Sequence, residues 1–144
     1  MAISKGDVVS LMNEFHDTVM FKNGTAEDQA RFFLLPEPRI VVSHGQDLSL
    51  QTNYEIHQKL TDERHIVLEP LNITPLCDDP ERAHAVGAVY WEARPLRSSD
   101  GGLIKCIVGE DWIVQRIPSG ELKIALYINS YHRSLPDSAP IDLT

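Results

Sequence analysis

The second half of this chain repeats one arrangement, an apolar run rich in β-branched residues followed by a short cluster of turn formers. The runs are residues 66–76, 83–96, 103–117 and 122–131, and no helical stripe crosses them. Between them stand Asp78-Asp79-Pro80, Ser98-Ser99-Asp100-Gly101-Gly102 and Pro118-Ser119-Gly120, each suited to a tight reversal. Short reversals place successive runs side by side, so the spacing predicts a four-stranded antiparallel meander. Pro70 and Pro75 fall inside the first run. Proline donates no amide hydrogen, so that strand is predicted to be an edge strand, a bulged strand, or both.

Ahead of the meander the period is helical. Ser4-x-x-Asp7 has the form of a capping box, and Val8, Leu11, Met12, Phe15 and Val19 follow at helical spacing until Asn23-Gly24. Thr25-x-x-Asp28 repeats the start signal before Ala30, Phe33 and Leu34, and Pro36 and Pro38 stop the segment. Ile40-Val41-Val42 and Leu48-Ser49-Leu50 read as a short hairpin or strand-loop around Gly45-Gln46-Asp47. Thr52-x-x-Glu55 then predicts a third helix through Ile56 and Leu60, ending near Thr61-Asp62. Helices that precede a meander imply an α+β fold, with three N-terminal helical segments packed on one face of a strongly curved, mostly antiparallel sheet. At 144 residues and 42% hydrophobic content, the chain has the size of one domain. Residues 1–133 are expected to form it. Residues 134–144 carry two prolines and few apolar side chains, and are expected to form a loosely held tail.

Charge narrows the partners. Thirteen Lys plus Arg against 21 Asp plus Glu give a net charge of −8, which repels a phosphate backbone, so no nucleic-acid partner is expected. No apolar run reaches the roughly 18 residues of a membrane span. The opening residues lack the charged-then-apolar form of a signal peptide. Cys77 and Cys106 stand far apart and fit no metal spacing, as reduced thiols would. The expectation is a cytoplasmic protein that makes no membrane contact.

Strand period also sorts the meander's side chains. Ala85, Gly87, Val89 and Trp91 share the drier phase of their run and are predicted to face the helices. The last run is apolar on both phases: Leu122, Ile124, Leu126 and Ile128 alternate with Lys123, Ala125, Tyr127, Asn129 and Tyr131. Both of its faces should be covered.

The order of elements, together with Gly109-Glu110-Asp111-Trp112-Ile113-Val114-Gln115-Arg116-Ile117-Pro118-Ser119-Gly120-Glu121-Leu122-Lys123-Ile124-Ala125, resembles the last hairpin of the NTF2-like, or SnoaL-like, family. There an acidic-aromatic strand, a Gly turn and a strand of the form W-K-I-A follow one another; here Leu122 stands where the family often has Trp. The resemblance implies a cone-shaped fold, shared by ketosteroid isomerases, scytalone dehydratase, polyketide cyclases, transport factors and many proteins of no known activity. Aligned on the Gly120 turn, the isomerase branch would put Ala125, Tyr127 and Asn129 in the pocket. That leaves the row Ile124, Leu126 and Ile128 for a homodimer through the sheet face. Trp112, with Asp111 beside it, falls at the isomerase's proton-donating acid, and its base falls at Ser43-His44, with no carboxylate until Asp47. The first-helix tyrosine falls near Phe15 to Asp17. A His-plus-Asn pocket is similar to the scytalone dehydratase branch.

The expected site therefore has His44 and Asn129 as catalytic or pocket polar groups, and Phe15, Tyr54, Trp91, Trp112 and Tyr127 as ligand-binding aromatics. Each has a plainer reading: a loop histidine, a sheet-edge amide and core aromatics, while Tyr54 and His57, three apart on the third helix, either roof the pocket mouth or form a solvated helix face. The six histidines show no metal-ligand spacing, the glycines no phosphate fingerprint, and no nucleophile elbow occurs. No metal and no cofactor is expected. The ligand would be a small apolar or cyclic molecule, handled by acid–base chemistry as in an isomerase, dehydratase or cyclase. The alternative is a non-catalytic ligand-binding or dimeric assembly module.

Overall fold

A computed structural model describes residues 2–20, 25–35, 38–42, 47–97 and 101–141. Helix α1 spans Lys5–Met20. Its capping box forms as the sequence predicts: the Asp7 amide donates to Ser4 Oγ at 3.1 Å and the Ser4 amide to the Asp7 carboxylate at 2.9 Å. These bonds, with Arg116 nearby, hold the Asp7 carboxyl below the usual carboxylate range. Val8, Leu11, Met12, Phe15 and Val19 are all buried, the single face that 3.6-residue spacing requires. Helix α2, Ala26–Gln29, has the Thr25 capping box and runs into a 3-10 turn over residues 30–32.

The hairpin is β1, Arg39–Val41, against β2, Asp47–Ser49. Helix α3, Leu50–Gln58, starts earlier than Thr52-x-x-Glu55 predicts, because Ser49 is the cap and accepts from the Thr52 amide at 3.2 Å. It also stops earlier. Leu60 is fully buried and paired with Pro95 as the first residue of β3, so tertiary burial overrides the helical pattern there.

The first apolar run is two strands, β3, Leu60–Val67, and β4, Asn72–Leu76, which bracket Pro70. Both pair antiparallel with β5, Asp79–Pro95. The meander continues through β6, Ile104–Arg116, and β7, Leu122–Ser134. Gly120, at a φ of 91°, closes the last turn by donating to the Ile117 carbonyl at 2.8 Å. Strand order is β2-β1-β7-β6-β5-β3, with β4 also on β5, and among these strands β1 and β7 are the parallel pair. The helices lie against one face of this curved, open sheet. Among the described residues no helix is long and apolar enough to cross a membrane.

Strand β7 departs from strict alternation. Leu126 stands opposite Ile113, yet Ile124 stands opposite Val114, so Ala125 is an extra residue. A second irregularity separates the Glu110–Asn129 pair from the Val108–His132 pair. Each bulge reverses the side-chain phase. Ile124 is consequently buried in the core beside Val114, and does not share an outer row with Leu126 and Ile128.

The tail is also held more firmly than its composition implies. The Leu135 and Ala139 amides donate to the Lys105 and Leu103 carbonyls, each at 2.9 Å, and the Lys105 amide donates to Ser138 Oγ at 2.8 Å. Ala139 packs on the smaller of two core clusters, formed by Leu60, Trp91, Ala93, Ile104, Cys106 and Val108. Backbone pairing to β6 and to the residue before it, which composition cannot report, ties this segment as far as Ala139.

Candidate functional site

A cavity of about 470 Å³ opens beside α3, the inner side of the sheet and the tail. Val42, Leu48, Ile56, Val108 and Ile141 give it an apolar wall; Trp91 and Tyr127 add aromatic surface. Its polar lining is Thr52, His57, His65, Glu110, Asn129 and His132.

Glu110 anchors the floor. It lies on β6 in the phase of Ile104, Cys106, Val108, Trp112 and Val114, and is 3% exposed. A buried carboxylate is tolerated only with partners. Trp112 Nε1 donates to Oε2 at 2.8 Å and the Tyr127 hydroxyl to Oε1 at 3.3 Å, while His16 Nε2 lies 3.7 Å from Oε1. Two-residue period brings Trp112 to the same face, and the Trp112–Tyr127 register brings in the phenol. Burial, and then the Glu110 charge and hydrogen bond, push the Tyr127 hydroxyl well above its ordinary value. It therefore stays protonated and acts as a donor.

His16, buried on α1, stacks on His65 of β3 with centroids 4.4 Å apart and planes 9° from parallel. Burial, helped by His16 and His57, pushes the His65 imidazole well below its usual 6.5. A histidine depressed in the folded state binds its proton more readily when unfolded, so stability is lost as pH falls below about 6.5. The limiting slope is about 1.4 kcal/mol per pH unit. Urea midpoints from about pH 7.5 to about pH 5 should fall more steeply for wild type than for His65→Phe, which keeps a ring on His16. Equal slopes would assign the acid sensitivity to other groups.

The second polar group is His57 with Glu63. His57 Nδ1 lies 2.8 and 3.0 Å from the two Glu63 carboxylate oxygens, and Trp91 Nε1 donates to Oε2 at 3.2 Å. The Glu63 side chain is fully buried. A register shift between Thr61 and Arg64, with Asp62 at a φ of 53°, precedes the inward run of Glu63, His65 and Val67. A carboxylate only accepts, so Nδ1 is the donor of this pair, and in the neutral ring the lone pair then sits on Nε2. Among the described residues no three His, Cys, Asp or Glu side chains group as a metal site would require.

Of the residues expected at the site, Trp91, Tyr127 and Asn129 line the cavity. Phe15 and Trp112 do not; they pack behind Tyr127 in the core, Phe15 edge-on to Phe32, Phe33, Trp112 and Tyr127. Tyr54 is half-buried on α3, and Thr52 and Ile56, one turn apart, take that wall instead. Asp111 faces away from Trp112 and pairs with His84. His44 lies outside the described residues. Sequence reasoning missed Glu110, Glu63, His16 and His65, and weighed a solvated face for His57 above a place at the pocket mouth. For Glu110 a signal existed, a lone carboxylate in an otherwise apolar strand phase.

No family model matches the chain, and no curated protein matches its sequence. Solved structures match nearly its whole length. Hexachlorocyclohexane dehydrochlorinase LinA-type3 from Novosphingobium barchaimii is 10% identical, with a TM-score of 0.65 over 96% of this chain and 94% of that one. A candidate dehydratase of the NTF2-like family from Streptomyces avermitilis is 13% identical, with a TM-score of 0.67 over 91% and 95%. An NTF2-like protein from Cytophaga hutchinsonii is 9% identical, with a TM-score of 0.57 over 92% and 100%.

Proposed function

We propose that this chain, which has the NTF2-like fold, binds a small, largely apolar molecule in its cavity and removes a proton from it, in an isomerisation, elimination or cyclisation. One observation carries this reading: the His57–Glu63 pair and the Glu110–Tyr127 pair meet the same apolar-walled cavity. His57 takes the proton at Nε2 while Glu63 stabilises the resulting imidazolium. Tyr127 and Asn129 orient the ligand's polar end. The dehydrochlorinase and the candidate dehydratase named above carry names of elimination enzymes, which agrees with this chemistry.

The test is solvent-deuterium incorporation into a panel of cyclic ketones and β-hydroxy ketones, followed by NMR. Exchange α to the carbonyl, faster than in buffer and saturable, is the expected result. Saturable binding across the panel with neither exchange nor elimination would overturn catalysis and leave a binding module.

The outer face of the sheet supports a homodimer, which belongs to the same proposal. The register sets His84, Ile113 and Leu126 in one row and Val86, Asp111 and Ile128 in the next. Leu126 and Val86 are 37% and 40% exposed, around the His84–Asp111 pair. A two-fold dimer would set this patch against its own copy. Light scattering should give about twice the 16.2 kDa chain mass, and Leu126→Glu should return it to the single-chain value. A wild-type monomer at micromolar concentration would refute the dimer, and a dimer that survives the substitution would move it to another face.

A further inference from the structure

We propose that the cavity selects an uncharged ring compound presenting a hydroxyl group to the floor, and rejects the carboxylate analogue of the same frame. This rests on the cavity being the ligand site, and it names the ligand's chemistry.

No lysine or arginine is among the described residues that line the cavity. Glu110 forms part of that lining and Glu63 lies buried behind His57. A ligand anion would therefore give up its hydration beside two carboxylates with no fixed cation to receive it. What the floor offers is acceptor capacity. A carboxylate has about four lone-pair sites, and Glu110 receives hydrogen bonds from Trp112 Nε1 and the Tyr127 hydroxyl, one on each oxygen. Asn129 Oδ1, an acceptor, and His65 Nδ1, which accepts when the ring carries its proton on Nε2, are buried with no hydrogen-bond partner, and both residues line the cavity. His65 is held neutral by its burial, so it adds no positive charge. A ligand hydroxyl supplies the proton that acceptors of this kind require.

An ammonium group meets a different obstacle. Glu63 is engaged by His57 and by Trp91 Nε1 and lies outside the cavity lining, so a ligand ammonium would give up its hydration for the Glu110 carboxylate alone. The ring body of the ligand meets Trp91, Ile56 and Val108.

The experiment titrates the full chain with 2-naphthol, 2-methoxynaphthalene, 2-naphthoate and 2-naphthylmethylammonium by calorimetry at neutral pH. Naphthol should bind about tenfold tighter than its methyl ether, the effect of one hydrogen bond to a charged acceptor. Naphthoate should bind about 100-fold more weakly than naphthol. Asn129→Leu should shrink the hydroxyl-over-ether preference, and Glu110→Gln should shrink the discrimination against naphthoate, with circular dichroism confirming that both variants fold. Because the wild-type series decides the question alone, an unfolded variant does not rescue the idea. Naphthoate or the ammonium binding as tightly as naphthol, or the ether matching the alcohol, would overturn the inference and leave the cavity as a ligand site. Failure of all four to bind saturably would overturn both.

Discussion

His57→Gln is expected to slow proton exchange on a responsive ketone by about 10²- to 10⁴-fold, the range over which a positioned general base acts. Glutamine keeps a hydrogen-bonding group at the Glu63 carboxylate but has no basic nitrogen. The His57 side chain is 16% exposed at the cavity and belongs to neither buried core cluster, so the fold should be retained. Glu63→Gln is the companion variant. It leaves the imidazole in place, removes the charge that fixes the tautomer, and should reduce the rate while altering its pH profile. An exchange rate unchanged in His57→Gln would sink the assignment of the base and move attention to Glu110.

Trp112→Ala is expected to destabilise the fold by about 3–5 kcal/mol, a large part of the roughly 5–15 kcal/mol available to a domain. The indole is fully buried, with the rings of Tyr127, Phe15 and His16 at 4.6, 6.1 and 6.1 Å. Removing it opens a cavity between α1 and the sheet, and also takes one donor from the buried Glu110 carboxylate. Trp112→Phe separates the two effects. It keeps much of the ring but not the N–H, so its cost should approach the roughly 1–3 kcal/mol of an unsatisfied buried polar group. Urea unfolding followed by far-UV circular dichroism measures both. A Trp112→Ala protein within about 0.5 kcal/mol of wild type, the range of ordinary surface substitutions, would contradict this packing.

Much of the architecture is legible in local signals. Ser4 with Asp7, and Thr25 with Asp28, cap helices where their spacing says they should. Ala85, Val89 and Trp91 are buried as period two requires. The site is legible only in part. Trp91, Tyr127 and Asn129 reach the cavity, whereas its chemistry rests on residues that no motif flags. Glu63 and His57 are six positions apart, at the start of a strand and near the end of a helix. Glu110 and His16 meet across 94 positions of chain.

The sequence by itself determined the kinds of element, their order and the α+β class, because capping, helical period and turn chemistry act over a few neighbouring residues. It also determined the apolar phase of β5, where the pairing with β6 runs without a shift from Arg82 to Ala93. Tertiary structure alone decided which face each part of β7 presents, where α3 yields to β3, and how the tail is pinned. Those outcomes depend on register between strands distant in sequence. One extra residue at Ala125 is enough to carry Ile124 into the core and leave Leu126 outside. A bulge of that kind leaves no mark on local propensity, since it is selected by the packing of Val114, Ile124 and Tyr127 against α1.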